Sequence, residues 1–196
     1  PFGRIKHDLV VEQLRLVVGE GRNRERPGRE ETMATGLGAE IETNVAAQLG
    51  ARLNGRDSAE QDALYRYGLK LGTVYQIYDD CLDLVGDEKK AGKTLRTDLV
   101  KGKLTLPILY LLQGATNEQK TKLNRMLLKG EPMDASILAG IADYEGAIER
   151  AVKDAMGMIQ DAVNELSCLP GTVYRDALEG TAGYLNKLLD NCRVMA

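Results

Sequence analysis

A cluster of acidic side chains in residues 72–87 is the part of the sequence best suited to chemistry. Read as a helix, residues 75–83 (YQIYDDCLD) place one glutamine and three aspartates within steps of three or four residues, so most of these side chains share one stripe. Carboxylates on an otherwise apolar, buried helix repel one another and are costly to desolvate, so a cation must neutralise them. Magnesium takes one or two carboxylates and shares its other positions with water and phosphate oxygens. The stripe therefore predicts a metal-bridged phosphate ligand.

A segment rich in glycine and lysine follows the stripe. Residues 86–93 read GDEKKAGK, and Asp98 and the run from Gly102 to Pro107 come after them. Lys93 and Lys103 are placed to bring ammonium groups to the same phosphates, and Asp98 is placed to orient one of them. The segment therefore predicts a lysine loop that completes the anion site.

Residues 75–107, YQIYDDCLDLVGDEKKAGKTLRTDLVKGKLTLP, resemble the second aspartate-rich motif and lysine loop of the trans-isoprenyl diphosphate synthases. That family has Phe-Gln-x-x-Asp-Asp-x-x-Asp, then Gly-Lys, Asp and Gly-Lys-x-Thr-x-Pro, and only Tyr75 departs from the pattern. The resemblance implies an all-α fold, an antiparallel helical bundle of the isoprenoid synthase type. It also implies three overlapping sets of site residues, which are the Mg²⁺ ligands Asp79, Asp80 and Asp83, the diphosphate-binding residues Lys93, Lys103 and Asp98, and the catalytic residues Gln76, Lys93 and Lys103.

Two family elements have no counterpart in the chain. No Asp-Asp pair precedes Asp79, although the family carries a first aspartate-rich motif roughly a hundred residues before the second. The Lys-Thr pair of the family would fall near Gly38-Ala39 and is absent. Both elements belong to the allylic substrate site of the family, so we expect a bundle that lacks part of its N-terminal half.

The resemblance implies a trans-prenyltransferase that condenses an allylic diphosphate with isopentenyl diphosphate and releases pyrophosphate, with Mg²⁺ assisting ionisation. The absent motifs leave two alternatives open. One is a noncatalytic or regulatory subunit that binds a catalytic partner, and the other is an incomplete view of a complete enzyme. Expected partners are isoprenoid diphosphate substrates and a second copy in a homodimer, as is common among relatives, or a catalytic subunit in a heteromer.

Composition excludes several other classes of function. The net charge is −3 and there is no polybasic run, which argues against nucleic-acid binding. The single histidine, His7, excludes histidine-based zinc sites, and the three cysteines do not form a disulfide framework. No apolar run is long enough for an integral membrane segment, so we expect a cytoplasmic protein.

Two other phosphate or metal motifs are nearly matched but fail on spacing. Gly86 and Gly92-Lys93-Thr94 approach a nucleotide-binding P-loop, but five residues separate the glycines where four are needed. An EF-hand fails because the aspartates do not alternate along a loop.

Hydrophobic periodicity predicts helices throughout and no strand. Residues 1–31 are expected to form an N-terminal amphipathic helix, residues 5–18, and a charged linker, residues 19–31, whose arginines are either solvated or clamp a diphosphate. Residues 32–196 are expected to form the helical prenyl synthase-like domain. Its predicted helices are 33–54, 58–84 with Ser58 as N-cap and Gln61 completing a capping box, 105–113, 117–128, 135–142, 144–167 and 173–191.

Overall fold

The computed structural model of the chain describes residues 43–86, 98, 103–129 and 134–195, and these residues are almost entirely helical. No strand occurs among them. The helices, in chain order, are α1 (43–53), α2 (Ser58–Val85), α3 (Leu106–Gly114), α4 (Asn117–Lys129), α5 (Ala135–Ala139), α6 (Tyr144–Glu165), a 3₁₀ turn (Leu166–Cys168) and α7 (Val173–Met195).

The long helix α2 begins with a capping box one residue earlier than predicted. The side chain of Asp57 accepts a hydrogen bond from the backbone N–H of Glu60, and the Glu60 carboxylate accepts one from the N–H of Asp57. The prediction that Ser58 and Gln61 form this box is wrong. The pairs Asp57/Glu60 and Ser58/Gln61 overlap in the sequence, and either could form a capping box. The pair with two carboxylates forms it, because the helix dipole also favours negative charge at this end.

Helices α1 and α2 form a tight hairpin. Gly55 turns the chain between them with φ = 66°, a left-handed conformation that favours glycine. A Cβ atom on Gly68 would lie 2.7 Å from the Cα of Asn44 and from the carbonyl oxygen of Thr43. Because residues equally far from the turn touch, the two helices run antiparallel, and glycine at position 68 permits their close approach.

Helix α6 is the centre of the core, and it packs against α2, α3, α5 and α7. Its buried positions recur at helical spacing and include many alanines, which let neighbouring helices approach closely. The buried residues of α6 are Tyr144, Ala147, Ile148, Ala151, Val152, Ala155, Ile159 and Ala162.

The last helix, α7, runs antiparallel to α6 and parallel to α2. The guanidinium of Arg193, near the end of α7, lies 2.9 Å from a carboxylate oxygen of Glu149, near the start of α6. The hydroxyl of Tyr67, in the first half of α2, donates a 2.7 Å hydrogen bond to the carbonyl of Leu178, in the first half of α7. The predicted antiparallel all-α bundle is therefore confirmed.

Most other helix boundaries agree with the prediction within two residues, but α5 ends early, α7 extends to Met195 where an end at residue 191 was predicted, and the predicted start of helix 33–54 lies outside the described residues. Helix α3 carries Pro107 in its first turn, as predicted. Helix α5 is shorter than predicted, because a turn at Gly140 ends it and Asp143 then caps α6. The predicted helix 5–18, the linker 19–31 and the domain boundary between residues 31 and 32 lie outside the described residues.

Candidate functional site

Three aspartates occupy the last two turns of α2. Asp80 and Asp83 are buried, with 7% and 5% of their surface exposed, while Asp79 is only partly buried. The apolar residues between them, Ile77, Cys81 and Leu84, are also buried, so this end of the helix is covered on several sides. Burying carboxylates is costly unless they are paired, so the contacts of Asp80 and Asp83 decide what this region can do.

Among the described residues, two side chains donate hydrogen bonds to Asp80, and both donate to the same carboxylate oxygen. The amide of Gln76, one turn earlier in α2, donates to Oδ1 of Asp80 at 3.0 Å. The ammonium of Lys103 lies 3.4 Å from the same oxygen. One neutral and one charged donor therefore converge on Oδ1.

The segment carrying Lys103 has contacts within itself and one further contact with α2. The Nζ atom of Lys103 lies 3.1 Å from Oδ2 of Asp98, and the backbone N–H of Lys103 donates to the Asp98 carbonyl at 2.8 Å. The backbone N–H of Asp98 in turn points to Oδ2 of Asp83 at 3.3 Å. Asp98 thus joins the last turns of α2 to the approach to α3.

Charge in this cluster is unbalanced. Burial raises the pKa of Asp80, and the nearby Lys103 ammonium and the hydrogen bonds from Gln76 and Lys103 lower it only in part. Burial alone would lower the pKa of Lys103, but the charges of Asp80 and Asp98 and their hydrogen bonds outweigh burial and raise it. Among the described residues Asp80 and Asp98 share the ammonium of Lys103, and a further positive charge beside the buried Asp80 would be stabilised.

The donor set suits a hard divalent cation. Among the described residues no group of three or more histidine, cysteine, aspartate or glutamate side chains is arranged as a metal cage. Magnesium does not need such a cage, because it usually keeps several waters and binds through one or two carboxylates together with phosphate oxygens. The desolvated Asp80 carboxylate, only partly neutralised by Lys103, fits this kind of ligand.

Thr105 is the N-cap residue of α3, and its side chain is a feature that sequence reasoning missed. The residue is 4% exposed, its hydroxyl makes no capping hydrogen bond, and no partner for it occurs in the described part of the chain. The sequence signal for Thr105 is its position in the Lys-x-Thr-x-Pro run. A buried hydroxyl needs a hydrogen bond to offset its desolvation, and the described residues supply none to Thr105.

The structure thus brings together Gln76, Asp80, Asp98 and Lys103, and it joins Asp83 to them through a backbone contact. The contact between Lys103 and Asp80 was not foreseen, because the sequence indicated only a phosphate role for the lysine. The predicted burial of the aspartates could have indicated this contact, because a buried carboxylate requires a cation and Lys103 is one. Lys93 lies outside the described residues, and the roles of all seven predicted site residues stay predictions.

No described helix is both long enough and apolar enough to cross a membrane.

Comparison with known proteins connects this chain to one family. The polyprenyl synthetase family model matches residues 35–143, which is more than half of the 196 residues. The heptaprenyl diphosphate synthase component 2 of Bacillus subtilis is 34% identical over 143 residues, which cover 73% of this chain and 40% of that protein. The octaprenyl diphosphate synthase of Escherichia coli is 34% identical over 144 residues, covering 70% of this chain and 43% of that protein. The chain thus spans about two fifths of the length of these curated relatives.

Solved structures show the same likeness. A polyprenyl synthase from Caulobacter crescentus, in complex with calcium and isoprenyl diphosphate, has a TM-score of 0.65 at 28% identity, covering 79% of this chain and 46% of that one. A geranylgeranyl pyrophosphate synthase from Corynebacterium glutamicum, in complex with the same ligands, has a TM-score of 0.62 at 28% identity, covering 96% of this chain and 58% of that one. The resemblance drawn from residues 75–107 is confirmed, and the chain belongs to the polyprenyl synthetase family.

Proposed function

We propose that the chain contributes the second aspartate-rich motif of a trans-prenyltransferase that condenses an allylic diphosphate with isopentenyl diphosphate. The observation that carries this proposal is the buried Asp80 carboxylate, which among the described residues is held by one neutral donor, Gln76, and one cation, Lys103. Two solved relatives bind calcium and isoprenyl diphosphate, and they share this fold with the chain at 28% identity. A divalent metal and a diphosphate are therefore the ligands that best fit the cluster.

The proposed ligand roles divide by chemistry. Asp79, Asp80 and Asp83 would hold Mg²⁺, whose contribution when bound is to neutralise the negative charge of the diphosphate as it leaves. Lys103 would donate to diphosphate oxygens, and Asp98 would orient its ammonium. Lys93 is proposed for a second ammonium contact, on the strength of the family motif alone.

The described residues supply positioning and electrostatics for the reaction. The Gln76 amide fixes the orientation of the Asp80 carboxylate from within the same helix. Gln76 is also proposed to lie near the allylic cation, on the strength of the family motif alone. Charge that develops on the departing diphosphate is stabilised by donors already oriented before the reaction, which costs little reorganisation. Released pyrophosphate would take the final proton, so the chemistry needs no histidine.

Turnover of labelled isopentenyl diphosphate with allylic primers and Mg²⁺ tests this proposal. Asp80→Asn is expected to lower kcat/KM at least ~100-fold, since it removes a charge that acts on the metal and diphosphate. Asp62→Asn is the matched control, because it makes the same change at an exposed position of the same helix and should keep activity. Equal activity of the two variants would refute the assignment of Asp80.

A second candidate function is a subunit that acts together with a catalytic partner. The relative from Bacillus subtilis favours it, because its name makes it one component of a synthase. Under this alternative the purified chain is inactive alone and gains activity when a complementary component is added. Light scattering coupled to size-exclusion chromatography would distinguish a homodimer from a complex with a different chain.

A further inference from the structure

Lys103 contacts one of the carboxylates that we propose as metal ligands. Its ammonium is 3.4 Å from Oδ1 of Asp80, a residue of α2, and 3.1 Å from Oδ2 of Asp98, outside that helix. A single positive charge thus bridges two carboxylates from two parts of the chain. The same Asp80 oxygen that binds Lys103 is among those available to a divalent cation.

We propose that Lys103 and the divalent cation compete for the Asp80 carboxylate, so that metal binding releases the ammonium from Asp80 toward the phosphate ligand while Asp98 keeps its contact with Lys103. This inference rests on the proposed function and adds a mechanism of coupling to it. A cation bound directly to Asp80 Oδ1 would be within a few ångströms of the ammonium and would repel it. A divalent cation also carries more positive charge than the ammonium that it displaces, so it neutralises the buried Asp80 carboxylate more fully.

The surroundings of Lys103 permit this exchange. Its side chain is 32% exposed, so it can turn away without opening the core. Its backbone N–H donates to the Asp98 carbonyl at 2.8 Å, and this bond holds the backbone of Lys103 in place when the side chain moves. The Gln76 amide is a neutral donor to Asp80, and it can hold that carboxylate in either arrangement.

The exchange makes metal and diphosphate binding mutually reinforcing. Metal frees Lys103 from Asp80 to bind the anion, and the anion draws Lys103 away from the Asp80 carboxylate that the metal needs. Linkage requires that each ligand strengthen the other by the same factor. Metal alone should therefore bind weakly, because it must first displace an internal cation.

Titration of the protein with Mn²⁺ alone, followed by electron paramagnetic resonance, tests the competition directly. Lys103→Met keeps an unbranched side chain that is one atom shorter and removes its charge, and the variant is expected to bind Mn²⁺ at least ~5-fold more tightly than the unaltered protein. Lys103→Gln, which keeps a hydrogen-bond donor, should also bind more tightly if charge is the cause. Lys153→Met, at an exposed position of α6, is the matched control and should leave Mn²⁺ affinity unchanged.

The outcomes separate this inference from the proposed function. Tighter Mn²⁺ binding by both folded Lys103 variants, with circular dichroism spectra like that of the unaltered protein, supports competition. Mn²⁺ binding by the unaltered protein that is equal or weaker in both variants overturns the competition and leaves the metal site in place. Absence of Mn²⁺ binding in all proteins overturns the competition and the metal assignment together.

Discussion

Helix α2 takes part in two charged clusters with opposite balances. In its first half, Arg66 and Lys70 both bind the Glu165 carboxylate of α6, at 2.8 and 2.6 Å, and Lys70 also donates to the Asp161 carbonyl at 3.1 Å. We call these residues the Glu165 clamp. Two cations there serve one carboxylate.

In the last turns of the same helix the proportion is reversed. Asp80 and Asp98 share the single ammonium of Lys103. The pKa values of the central carboxylates in the two clusters therefore shift in opposite directions. Burial would raise the pKa of Glu165, but its hydrogen bonds and charge contacts with Lys70 and Arg66 prevail and lower it, whereas the pKa of Asp80 is raised. The comparison shows that a satisfied cluster joins helices, while an under-neutralised cluster on the same helix is suited to an additional cation.

The largest expected contrast comes from the same chemical change in both clusters. Glu165→Gln should lower the free energy of unfolding by about 1 to 2 kcal/mol, because it weakens two charged hydrogen bonds that are partly solvent-screened. Asp80→Asn should leave the unfolding free energy unchanged or raise it, since it removes a buried and incompletely neutralised charge. Urea unfolding at neutral pH measures both variants. A larger loss of stability in Asp80→Asn than in Glu165→Gln would reverse the comparison.

The stability supplied by the clamp should depend on pH in a defined direction. The pKa of Glu165 is lowered from its usual 4.5, so its stabilising contribution is complete above that value and disappears as pH falls through the folded-state pKa. The difference in unfolding free energy between the unaltered protein and Glu165→Gln should therefore be constant from pH 7 to about pH 5 and shrink at lower pH. Thermal unfolding of both proteins in a pH series checks this. A difference that grows on acidification would contradict the assignment.

The smallest effects should distinguish the two cations of the clamp. The side chain of Lys70 is 28% exposed and has two acceptors, whereas that of Arg66 is 50% exposed and bonds only to Glu165 among the described residues. Lys70→Met should cost about 1 kcal/mol, and Arg66→Ala no more than ~0.5 kcal/mol, because exposed ion pairs contribute little. Equal losses in parallel urea titrations would show that exposure does not set the strength of these pairs.

Local signals predicted the fold well. Hydrophobic periodicity and capping residues place α2, α3, α4 and α6 within one or two residues of where they occur. The error at the start of α2 arose because Asp57 and Ser58 offer two overlapping caps, and spacing alone does not rank them. Helix α5 was predicted too long because its apolar pattern continues through Ile141, although Gly140 ends the helix.

The candidate site was predicted less completely. The helical stripe brings Gln76 within reach of Asp80, because residues four apart are neighbours on a helix. The contact between Lys103 and Asp80 joins residues 23 positions apart and depends on the path of the chain between α2 and α3. No local pattern specifies that path. The raised pKa of Asp80 also depends on how deeply its carboxylate is buried, which only the folded structure shows.

Because α2 is continuous from Ser58 to Val85, it fixes the angle between the clamp and the carboxylates as well as their separation. Each residue turns an α-helix by about 100°, so one residue inserted or deleted between Lys70 and Gln76 would rotate Asp80 away from Lys103 while the clamp held the first half of the helix in place. A substitution in this stretch changes one side chain, whereas an insertion or deletion rotates all the later residues of α2 relative to the clamp. Within the five residues from Leu71 to Tyr75, the unburied Thr73 and Tyr75 should therefore tolerate replacement during evolution and the buried positions conservative replacement, but the number of residues should hardly change.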